Sequence, residues 1–97
     1  VLRKDIPDTM SGFSALAGAA CKAGALDAKT KEYIALGIAV ALRCEPCIAF
    51  HAKALVKLGV TKAEYEEVLG VAVYMDGGPG LMYAAHALEA FEQFSAG

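Results

Sequence analysis

Cys44, Cys47 and His51 stand at i, i+3 and i+7, a spacing that puts two thiols and an imidazole on one face of any helix running through them. Those residue types suit thiol redox chemistry. The attacking species is a thiolate, and a helix N-terminus favours it with partial positive charge and free N–H donors. Pro46 fits the first turn of such a helix, so Cys44 and Cys47 are predicted to flank its start. His51, four residues past Cys47, can accept its proton. Two thiols one turn apart can close a disulfide, because a sulfenic acid on one is resolved by the other before it oxidises further.

Glu32 lies twelve residues before Cys44, about 18 Å away along a straight helix and out of reach of that thiol. If the chain reverses between Arg43 and Glu45 and the flanking helices pack antiparallel, His51 returns to the level of Leu36, one turn from Glu32. Glu32 is then expected to orient or protonate His51, with a water between them if the gap requires it. Carboxylate, imidazole and thiol in that order activate nucleophiles in other sites. Two other readings use the same residues. Free cysteines are often small buried core residues. Thiolate, imidazole and carboxylate also suit zinc, although three donors from two turns of one helix differ from the loop-borne C-x-x-C of zinc ribbons.

The elements that must position these groups are helices. Gly and Pro divide the chain into five segments, each with apolar residues at three- and four-residue spacing and none with sustained alternation. The predicted fold is all-α: one domain over residues 1–97, an antiparallel bundle of about five helices. The first segment, Asp8 to Ala23, carries Phe13, Leu16, Ala17, Ala20 and Cys21 on one stripe, which makes Cys21 an expected core residue. The second starts at Asp27, a good N-cap, and is apolar on every side from Tyr33 to Leu42, the pattern of a central helix. The third runs from Glu45 to Leu58, before Gly59. The fourth opens on Thr61 and Glu64, a capping box, and continues to Met75. The fifth follows Asp76, Gly77, Gly78 and Pro79, with Leu81, Met82, Ala85, Leu88 and Phe91 on its apolar side. His86 lies on this helix, where packing or an interface is expected for it; Tyr74, Met75, Met82 and Tyr83 are expected in the core or an interface. Gly77 to Gly80 follows a helix and lacks the Lys and Ser or Thr of a phosphate loop, so a turn explains it.

Composition narrows the function. A net charge of −2 with interspersed acids and bases leaves no basic stripe to neutralise phosphates, so nucleic acid is not an expected partner. The longest apolar run, Tyr33 to Leu42, is about half of what a bilayer span needs, and no membrane association is expected. No charged start leads into an apolar stretch and a small-residue cleavage site, and three cysteines do not form an even disulfide framework; the expected location is the cytoplasm. Apolar residues make up 57% of the chain, more than one core in 97 residues can hide. A homo-oligomer is the expected outcome.

Glu32, eleven intervening residues, then Cys44-Glu45-Pro46-Cys47-Ile48-Ala49-Phe50-His51 resembles the core of the carboxymuconolactone decarboxylase and AhpD-like alkylhydroperoxidase family. The likeness extends from Leu26 through Leu88, about two thirds of the chain. It implies an all-helical enzyme, assembled as a trimer or hexamer, that reduces hydroperoxides. By that resemblance Cys47 would attack, Cys44 would resolve, and His51 and Glu32 would form the proton relay, whereas the helix-terminus field alone would favour Cys44 as the attacking thiol. The resemblance also implies a redox-active Cys44–Cys47 disulfide in place of a separate cofactor or metal, with an external dithiol or thioredoxin-like protein as reductant. The chain departs from the family's peroxidases at Pro46, where they carry a histidine, and Glu45 adds a negative charge beside the thiols. Decarboxylases of the superfamily generally lack the cysteine pair. The alternatives are a decarboxylase-like enzyme using Glu32 and His51 on an acid substrate, and a redox-sensing or metal-binding module without turnover. The C-x-P-C order is also similar to that of thioredoxins, but no strand pattern accompanies it.

Overall fold

The computed structural model describes residues 1–97 as six helices without a strand: α1 (Leu2–Asp5), α2 (Pro7–Cys21), α3 (Ala28–Ala41), α4 (Glu45–Lys57), α5 (Lys62–Asp76) and α6 (Gly78–Ala96). The five predicted segments correspond to α2 through α6; α1 is one additional turn. Local chemistry sets the boundaries. The Asp27 carboxylate accepts the Thr30 N–H at 2.7 Å and starts α3. At α5, Thr61 Oγ1 accepts the Glu64 N–H while Glu64 Oε1 accepts the Thr61 N–H, the predicted reciprocal cap. Gly77, at φ 76°, makes the corner between α5 and α6.

Helices α3, α4, α6 and α5 surround a common core, each packed on the next in that order. Leu36 and Val40 from α3, Ile48 and Leu55 from α4 and Tyr65 from α5 are its largest fully buried side chains. Tyr65 also donates its hydroxyl to the Ala87 carbonyl at 2.6 Å, so the one polar atom it carries inward is satisfied.

The reversal between α3 and α4 falls where the spacing predicted it. The Arg43 N–H donates to the Val40 carbonyl and the Cys44 N–H to the Ala39 carbonyl, both at 3.1 Å, and Arg43 takes φ 57°. The same turn ends α4, with Gly59 at φ 79°. Glycine suits that conformation; a non-glycine residue costs about 1–2 kcal/mol there. Cys44 therefore ends one helix and caps the next.

Two expectations are corrected by the packing. Segment one was expected to bury its stripe, yet α2 has no buried residue; Phe13 and Leu16 are about two-thirds exposed, and Cys21 is half-buried rather than in the core. Its only neighbours are α1 and α3, so nothing in the chain covers its apolar side. Helix α3 is likewise buried on one side only: Leu36, Ala39 and Val40 face inward, while Ile34, Ile38 and Leu42 lie open. Tyr74, Met75 and Met82 are outside the core as well. No helix is long and apolar enough to cross a membrane.

Candidate active site

Cys44 is the N-cap of α4 and Cys47 lies in its first turn, where the Cys47 N–H meets Cys44 Sγ at 3.2 Å. The two cysteines are joined as a disulfide, with Cα atoms 5.2 Å apart, and both are half-buried. The free N–H groups of α4 converge on this turn, so a sulfur released as thiolate is in a field that favours its charge. Cys21 is a free thiol elsewhere, at the end of α2.

The antiparallel return of α4 brings His51 against Glu32 directly, with His51 Nδ1 2.7 Å from Glu32 Oε1. No bridging water is needed. Their side chains are 19% and 12% exposed, which shields the bond from competing solvent. Facing an ionised carboxylate, Nδ1 carries the hydrogen, and Nε2 is left with the lone pair that can take a proton from a thiol. The Phe50 ring stands edge-on to the imidazole at 5.2 Å. Glu32, Cys44, Cys47 and His51 are thus all carried by the α3–α4 hairpin.

A second carboxylate–imidazole contact was missed in the sequence. His86 Nδ1 meets Glu45 Oε1 at 2.5 Å, joining α6 to one of the two residues between the cysteines. Both side chains are about half exposed, and the Tyr83 ring packs edge-on against His86 at 5.3 Å. Nothing in the sequence gives the register of α6 on α4 across 41 residues, and the apolar surroundings of His86 suggested packing instead. Arg43 ties the turn to α5 as well, with its guanidinium 3.6 Å from Asp76 Oδ1. Gly80 packs closely beside that carboxylate: a Cβ there would lie 3.1 Å from Asp76 Cβ, so the Asp76 side chain would have to give by a few tenths of an ångström. No group of three or more His, Cys, Asp or Glu side chains is assembled for a metal ion.

Residues 7–90, which hold this whole site, match the model of the carboxymuconolactone decarboxylase family. The chain belongs to that family. Its fold is similar to the crystal structure of a carboxymuconolactone decarboxylase family protein from Legionella pneumophila, at 63% identity and TM-score 0.94 over 97% of this chain and 84% of that one. A family protein from Thermotoga maritima is 30% identical, with TM-score 0.84 over 91% of this chain and 75% of that one. An uncharacterised protein of Cupriavidus necator is 39% identical over 93% of this chain and 80% of its own length. Membership in the carboxymuconolactone decarboxylase family fixes the helical scaffold; the chemistry must come from the side chains described above.

Proposed function

We propose that this protein is a thiol-dependent oxidoreductase of the alkylhydroperoxidase type. Cys47 attacks as thiolate, after His51 Nε2 has taken its proton. The sulfur bonds the terminal oxygen of a hydroperoxide, the O–O bond breaks, and the leaving alkoxide takes the proton from His51, giving an alcohol and a sulfenic acid. Cys44 then attacks the Cys47 sulfur, the S–O bond breaks, and hydroxide leaves with the Cys44 proton as water. An external dithiol or thioredoxin-like protein returns two electrons and two protons to the disulfide. Glu32 positions His51 and stabilises its charged form between the two transfers. The disulfide is the redox group, and no further cofactor enters.

One observation carries this reading: a dithiol already closed as a disulfide at the start of α4, one turn before a shielded Glu32–His51 bond. The Thermotoga maritima relative is described as a candidate for an antioxidative response, which agrees with a peroxide as oxidant. A dithiol that must be re-reduced every cycle suits the cytoplasm, where thiols are kept reduced. The test is turnover: with a dithiol in excess, an alkyl hydroperoxide is consumed continuously, and Cys47→Ser abolishes this. No consumption at any dithiol concentration would contradict the proposal.

The proposal includes assembly as a homotrimer or as a hexamer built from two trimers. Two apolar features support it. Helix α2 has no buried residue, and Ile34, Ile38, Val71 and Met75 line an open apolar groove of about 410 Å³ between α3 and α5. Identical copies can cover such surfaces in a closed ring.

A further inference from the structure

The site as proposed uses one imidazole, and the chain has two. The second, His86, is bonded to the carboxylate of Glu45, which lies between Cys44 and Cys47 in the first turn of α4. The positive end of α4 favours one negative charge, and Glu45 and a cysteine thiolate both draw on it. Left alone, the carboxylate would repel the thiolate and favour the inert thiol. His86 answers that repulsion. Its Nδ1–H donates to Glu45 Oε1, drawing charge from the carboxylate and holding it toward α6.

Stability does not explain this contact, since a half-exposed ion pair contributes little to folding. The surroundings fit an electrostatic task. The pair lines a cleft of about 290 Å³ between α4 and α6, closed on its apolar side by Ile48, Ala49 and Ala90. Glu89 and Gln93 line the same cleft, so His86 is its only cationic or cation-capable group among two carboxylates. Tyr83 holds the His86 ring edge-on.

We propose that His86 is a positioning residue for the dithiol, acting through Glu45 to keep the carboxylate that follows Cys44 in the first turn of α4 from suppressing the attacking thiolate. The proposal rests on the dithiol reading above but concerns thiolate formation rather than peroxide turnover, and the two can therefore fail separately. The measurement is the rate at which iodoacetamide alkylates the fully reduced protein at neutral pH, with mass spectrometry assigning the modified cysteines. His86→Gln should slow alkylation of the Cys44–Cys47 pair by roughly threefold to tenfold, the size of an exposed-to-half-buried charge effect. Glu45→Gln should react as fast as the parent protein or faster. The double variant should recover the Glu45→Gln rate, because the carboxylate that His86 restrains is gone. A packing role for His86 predicts the opposite, a double variant at least as slow as His86→Gln alone. That result, or an unchanged rate in His86→Gln, would overturn the proposal. Alkylation needs no peroxide, so a protein that fails to turn over hydroperoxide still gives a decisive reading.

Discussion

On one side of α4, Glu32 and His51 meet with 12% and 19% of their side chains exposed; on the other, Glu45 and His86 meet with 54% and 42% exposed. The partners are the same two residue types, and both contacts use Nδ1. Water separates their capabilities. The shielded pair sits where a hydrogen bond is electrostatically strong, so it can fix a tautomer and leave Nε2 ready for a proton. The exposed pair competes with solvent, which limits it to trimming the charge beside the dithiol. Location in the chain differs too: the first pair comes from one hairpin, while the second needs α6 to dock on α4.

This contrast predicts a graded set of losses. Glu32→Gln and His51→Ala should each slow peroxide oxidation of the reduced protein by about 10²- to 10⁴-fold, the range for a placed proton-transfer group. Their effects should not add, because both belong to one relay. Stopped-flow oxidation of the two single variants and the double variant checks this. Unchanged rates would reduce the shielded pair to the level of the exposed one. His86→Gln comes next, with the several-fold loss argued above.

Assembly sharpens the comparison by testing what covers the shielded side. Light scattering at micromolar concentration should give three or six times the 10.1 kDa chain mass. Phe13→Ser with Leu16→Ser on α2 should shift the distribution toward monomer. A parent protein that stays a monomer would overturn the assembly.

The smallest effect concerns the cap that holds the Glu32 end of α3. The Thr30 side chain, with its backbone N–H, keeps the Asp27 carboxyl below its ordinary range. A carboxyl lowered in the folded state stabilises it fully above the unfolded value, about 3.9 for aspartate, and that contribution fades as pH falls through the lowered folded value. Asp27→Asn retains a capping oxygen but cannot titrate. Thermal unfolding of this variant should match the parent near neutral pH and fall less steeply below about pH 4. Equal acid slopes would show that Asp27 does not shape the acid limb.

How much of this was legible in the sequence depended on the range of the interaction. The Thr61–Glu64 cap and the Cys44-Pro46-Cys47 helix start are set within one turn, and both were read directly. The meeting of Glu32 with His51 followed from helix rise and one reversal, because only a hairpin separates them. Contacts that depend on where distant helices settle were not legible. Phe13 and Leu16 form a stripe at core spacing, but spacing cannot say whether the cover comes from the same chain, and in α2 it does not. The Glu45–His86 contact failed for the same reason, since the register of α6 on α4 is a tertiary outcome. Arg43 was hidden differently. A left-handed residue is normally announced by glycine, as at Gly59, and here an arginine occupies the position.

The central claim is that Cys44 and Cys47 form a working dithiol, and one experiment reads it directly. The fully reduced protein is treated with a single equivalent of alkyl hydroperoxide, then its free thiols are blocked and its peptides mapped by mass. The account predicts rapid loss of two hydrogens per chain, a Cys44–Cys47 disulfide, and Cys21 recovered as a blocked free thiol. A bridge involving Cys21, or sulfinic acid accumulating on either cysteine without any disulfide, would contradict it.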